Sequence, residues 1–119
     1  MSDVETRTEP DGSLVIHPRG VMDADRAVPF RQLLIHAVRK TRPRRLIVEL
    51  GDVRKVDAIH LGTLAALCGI AEDHRVTLLL VNPSAEIKAD LLAAGVPAQR
   101  IRYNRDTVSV DTPEVASMS

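Results

Sequence analysis

Short apolar runs alternating with stretches of helical periodicity predict an α/β domain, with a mixed, largely parallel β-sheet packed by α-helices. Two observations carry this. Leu46 to Leu50 and Val76 to Val81 are near-continuous apolar runs of strand length, the pattern of strands buried on both faces. Between and after them, Leu61, Leu64, Leu67, Cys68 and Ala71, then Ile87, Leu91 and Leu92, recur at helical spacing. The connections are short, which favours right-handed crossovers. With 119 residues, 45% of them hydrophobic, the chain forms one domain that buries roughly two thirds of its unfolded surface.

Each element has a local reason. Ser13 to His17 follows the Asp11-Gly12 turn as a strand and stops at Pro18, with Val4 to Thr8 as a hairpin partner. Asp23 or Asp25 caps a helix that starts near Ala24 and runs to about Lys40, carrying Phe30, Leu33, Leu34, Ala37 and Val38 on one face; Pro29 fits only near its first turn. Arg42-Pro43 ends it. After the Leu46 strand, Asp57 is the N-cap of the next helix and Ala58 its first residue. Ser84 caps a third helix, which Gly95 closes in the C′ position with Pro97 beyond, and Ile101 to Tyr103 adds a short last strand. From Asn104 to Ser119 the chain is polar and reads as a mostly flexible tail.

Composition excludes several functions. Lys plus Arg equals Asp plus Glu at 16 each, and Phe30 and Tyr103 are the only aromatics, so neither charge nor stacking recruits nucleic acid. No apolar run approaches the ~20 residues that span a bilayer, and the polar N-terminus lacks a signal-peptide core. The single Cys68 falls on an apolar helix face, where a buried, inert thiol is expected, consistent with a soluble protein of the reducing cytoplasm. His17, His36, His60 and His74 have no metal-ligand spacing, and no nucleophile elbow, phosphate loop or dinucleotide fingerprint is present. The sequence therefore predicts neither an enzyme nor a bound metal or cofactor. The basic run Arg39, Lys40, Arg42, Arg44 and Arg45 lies at a helix end, where cations suit the dipole.

Two acidic residues mark strand ends, Asp23 after the Arg19-Gly20-Val21-Met22 turn and Asp57 before the second helix. Either could be a cap and nothing more. Gly20-Val21-Met22-Asp23 resembles the Gly-x-Leu-Asp of STAS domains, in particular of bacterial anti-sigma factor antagonists. Asp57, Leu61 and Gly62 match that family's helix-opening Asp-Ser-Ser-Gly-Leu-Gly, while Ala58, Ile59 and His60 depart from it, and Gly95-Val96 is similar to a later Gly-Leu. The resemblance divides the chain into residues 1–10, able to add an edge strand, a STAS-like domain over 11–103, and the tail 104–119.

The resemblance implies a protein-binding module. Its partner would be an anti-sigma factor of the histidine-kinase-like ATPase type, bound through the helix after the motif and adjacent loops so that a sigma factor is freed. In the family, phosphorylation of the first motif serine ends the interaction. Here that position is Ala58, so that switch is absent. Thr63, a turn further on, is expected to bond back to the helix or to face solvent. The implied contact set is Met22, Asp23, Arg54, Lys55, Asp57, Ala58, Ile59, His60, Leu61 and Gly62. Arg54 and Lys55, placed in the loop before Asp57, would attract an acidic surface. Ile59 would be an apolar anchor or turn inward. His60, in place of a glycine, is expected to project near the contact surface as a polar first-turn residue, a specificity contact or a pH sensor. A scaffold or accessory role in a signalling assembly or lipid-transport system is the alternative, and a homodimer is compatible with either.

Overall fold

The computed structural model describes residues 4–103. In chain order the elements are β1 (Val4–Thr8), β2 (Ser13–Pro18), β3 (Gly20–Met22), α1 (Ala27–His36), β4 (Arg45–Glu49), β5 (Val53–Val56), α2 (Ala58–Asp73), β6 (Thr77–Val81), α3 (Ala85–Ala93) and β7 (Ile101–Arg102). Five strands make the main sheet in the order β1-β2-β4-β6-β7, antiparallel at the β1–β2 hairpin and parallel elsewhere. β3 and β5 pair in parallel as a separate two-stranded sheet.

Register explains the core. Leu14, Leu46 and Leu78 stand side by side, as do Ile16, Val48, Leu80 and Ile101 one step along. Alternate strand residues share a face, so these two rows form one apolar surface. All three helices contribute to the cluster on it: Phe30 and Leu34 from α1, Leu64, Leu67 and Ala71 from α2, Ile87 and Leu91 from α3. Because the main sheet adds its strands in one direction, it has no point where the strand order reverses, the usual place for a nucleotide in an open α/β sheet.

The capping chemistry follows the sequence closely. Ser84 Oγ accepts from the Ile87 amide at 3.1 Å. At the other end of α3, Gly95 takes φ +106, its amide donates to Leu92 O, and the Val96 amide donates to Leu91 O, which together satisfy two free carbonyls. Asp11 Oδ1 accepts from the Ser13 amide at 2.9 Å, a bond that holds its carboxyl below the usual range.

Several expectations are corrected. Residues 20–22 form a strand, not a turn, and Arg54 and Lys55 lie in β5, not a loop. Both strands are too short to show a period, β5 is also charged at its centre, and each exists only by pairing with the other. The β2 strand includes Pro18. The first helix opens with a 3-10 turn over Ala24–Arg26, becomes α-helical at Ala27, and ends in a π turn over Ala37–Thr41, stopped by Arg42 in the left-handed region (φ 48). Asp23 precedes that 3-10 turn without a side-chain cap bond. Leu92 is exposed rather than on the packed face. The tail expected over 104–119 lies outside the described residues.

Leu46 is fully buried in the middle of the main sheet. Leu46→Ala is expected to cost about 2–5 kcal/mol, and the half-buried Leu79→Ala clearly less, as read from urea unfolding midpoints. Burial pushes the Cys68 thiol up, so it should stay unreactive toward thiol reagents near neutral pH until the chain unfolds. Raising the pH through the ordinary thiol range should weaken the fold, because the unfolded chain then ionises and the buried thiol does not.

Candidate functional site

β3 and β5 end side by side, Met22 opposite Val56, and the chain enters α2 directly from there. The Asp57 amide donates to Met22 O at 2.9 Å, and its carboxylate accepts from the Ile59 amide at 3.0 Å. Asp57 is therefore the N-cap in extended geometry (φ −70, ψ 150) and is bonded on both sides, to the small sheet behind it and to the helix ahead. Ala58 and Ile59 follow on the outside. Ile59 is 51% exposed.

His60 departs from its expected place. It is 1% exposed, and its Nε2–H donates to Asp23 O at 2.7 Å. The ring meets Phe30 of α1 edge-on, with centroids 5.6 Å apart. The reason is geometric: the third residue of α2 turns toward α1, and helical side chains lean back toward the N-terminus, which carries the imidazole beneath the β3–α1 loop. It is thus a structural member of the site and not a contact residue. Its Nδ1 is buried without a hydrogen-bond partner, so the single bond at Nε2 fixes which nitrogen carries the proton. Arg26 holds the same loop from its other side, Nη1 donating to Arg19 O and Val21 O at 2.9 and 2.7 Å.

The remaining expected residues divide cleanly. Met22 is buried and Leu61 half-buried, which removes Met22 from any contact surface. Asp23, Arg54, Lys55, Asp57, Ala58, Ile59 and Gly62 are exposed at this end of the domain. Thr63 Oγ donates back to Ile59 O at 3.1 Å and is half-buried, in keeping with a structural hydroxyl. Val21, 39% exposed and in register with Lys55, belongs to the same surface and was not singled out by sequence; its alternation with buried Met22 was the available signal.

From Ile59 an open groove of about 430 Å³ continues between the two helices, lined by Arg31 and Ile35 of α1 and by Gly62, Thr63, Ala66 and Ile70 of α2. A Cβ at Gly62 would meet no heavy atom within 4 Å. Glycine inside a helix costs about 0.5–1 kcal/mol relative to alanine, and no close approach among the described residues accounts for it. Among the described residues no group of three His, Cys, Asp or Glu could hold a metal ion, and no helix is long and apolar enough to cross a membrane. The arrangement is a rigid, capped helix start with an exposed aliphatic tip, suited to contact with another macromolecule.

The STAS domain model matches residues 3–104, and the chain belongs to that family. No curated protein matches it in sequence. Among solved structures, it is similar to the phosphorylated form of the Bacillus cell fate determinant SpoIIAA (15% identity, 91% of this chain and 96% of that one, TM-score 0.73). It is also similar to a variant of Moorella thermoacetica RsbS (15% identity, 86% of each chain, TM-score 0.67). The STAS domain of a Vibrio cholerae SulP transporter is another match (17% identity, 93% of this chain and 88% of that one, TM-score 0.63). At such identities the likeness is one of fold.

The geometry separates two neighbouring side chains. His60→Ala, which empties a buried site and leaves Asp23 O with only the 3.2 Å bond from the Arg26 amide, should cost about 2–4 kcal/mol in urea unfolding. Ile59→Asp, on the exposed side of the same turn, should change stability by no more than about 0.5 kcal/mol. Equal effects would contradict the placement of His60.

Proposed function

We propose that this STAS domain protein is a non-enzymatic, protein-binding regulator of the anti-sigma factor antagonist type. It binds an anti-sigma factor of the histidine-kinase-like ATPase type in the cytoplasm, through the start of α2, and thereby frees a sigma factor. The observation that carries this reading is the exposed Ile59 on a helix start held from behind by Asp57 and His60. Covering one such aliphatic side chain contributes about 1.5–3 kcal/mol, and a rigid platform spends little of that on ordering. Arg54 and Lys55 flank it on β5 and would steer an acidic partner surface.

The same turn bears on regulation. A phosphate at the first residue of α2 would bring about two negative charges beside Asp57, repelling an acidic partner surface. Ala58 has no hydroxyl to accept one, and the Thr63 hydroxyl is engaged with Ile59 O. Binding in this protein is therefore independent of phosphorylation at that position, and its control lies elsewhere, in synthesis or in competition for the surface.

The test compares wild type with Ile59→Asp and with Arg54→Glu as baits in cell extract, followed by calorimetry on the recovered partner. The expected result is an ATPase-type anti-sigma factor bound by wild type, at least about tenfold more weakly by Ile59→Asp, and with a reduced on-rate for Arg54→Glu. Recovery of a transporter component instead would favour the scaffold role, which the likeness to the SulP transporter domain supports. Equal binding by all three baits would place the interface on another face.

A further inference from the structure

We propose that two copies of this chain pair through the groove between α1 and α2, the α2 of one lying antiparallel against the α2 of the other. Residues 59, 62, 66, 70 and 73 follow one another at steps of three or four, so they share one face of α2 over about 21 Å. That face carries an aliphatic side chain at Ile59, an open space at Gly62, a second aliphatic side chain at Ile70, and an exposed carboxylate at Asp73. A two-fold axis through Ala66 sets Ile70 of each copy opposite Gly62 of the other, where among the described residues a Cβ would meet no contact within 4 Å. It also brings Asp73 of one copy to the Ile59 end of the other.

Charge selects this occupant. Arg31 lies at the Ile59 end of the groove, since it lines the groove with Ile59 and its neighbour Phe30 touches His60. Among the described residues neither Arg31 nor Asp73 has an ion-pair partner. The cation thus sits at one end of the face and the anion at the other, and antiparallel self-pairing joins both pairs at once. Val28, 58% exposed and one turn before Arg31, extends the apolar rim. Pairing covers Ile59 and so competes with a bound partner, a control by concentration in place of a phosphoryl group. The competition, unlike the pairing, rests on the function proposed above.

Sedimentation equilibrium on the full chain, from low micromolar to millimolar protein, tests the pairing. Wild type should rise from 13.0 kDa toward twice that mass. Gly62→Leu, whose side chain fills the space meant for Ile70, should remain monomeric throughout. Arg31→Asp and Asp73→Arg should each weaken association at least about tenfold, and the double exchange should restore it. A wild-type chain that stays monomeric overturns the proposal, as does a dimer that survives Gly62→Leu or a double exchange that restores nothing. Urea midpoints confirm that each variant is folded. Loss of pairing with Ile59→Asp still weakening the partner would leave the functional reading intact.

Discussion

The exposed end of this domain depends on one buried hydrogen bond, from His60 Nε2–H to Asp23 O. Asp23 O also accepts from the Arg26 amide at 3.2 Å within its own loop, and the shorter bond from the imidazole is the one that ties the β3–α1 loop to α2. Around it the other bonds fall into place. Asp57 joins α2 to the end of β3, Arg26 gathers the carbonyls of Arg19 and Val21, and the Gly20 amide donates to Asp52 O in the β4–β5 connection. His17 meets the Asp52 carboxylate at 2.8 Å and ties this small sheet back to β2. Two helix starts and two short strands therefore act as a single unit.

Rigidity behind and exposure in front follow from the same helical turn. Ile59 and His60 are adjacent in sequence, yet a step along a helix rotates by about 100°, so one faces solvent while the other is enclosed. The resemblance to STAS domains sets a glycine at the His60 position, and here a ring occupies the space beneath Asp23. With Ala58 and Ile59 beside it, the helix start is more apolar and less able to be modified than a serine-bearing one.

The parts of the fold legible in the sequence were those whose cause is local. Asp57, Ser84 and Gly95 cap helices because a carboxylate, a hydroxyl and a missing Cβ each solve a problem within one turn. Leu46 to Val48 and Leu78 to Leu80 announce their strands because they are apolar runs whose Leu46, Val48, Leu78 and Leu80 lie in the core beneath the helices. What stayed hidden was non-local. β3 and β5 are short, β5 is charged at its centre, and only their mutual register makes them strands. The inward turn of His60 depends on where α1 lies, and the groove with Arg31 and Ile35 depends on the distance between two helices that are far apart in the chain. Within the site, the cap and the exposed Ile59 were readable, while the division between structural and contact residues needed the packing.

The most direct test of this account is long-range proton–nitrogen NMR of the His60 ring in the folded chain. The account requires the proton to reside on Nε2, with slow exchange and a coupling across the bond to Asp23 O. A ring averaging between tautomers, or a rapidly exchanging Nε2 proton, would mean that the imidazole does not hold the two helix starts together and that the platform beneath Ile59 is not rigid.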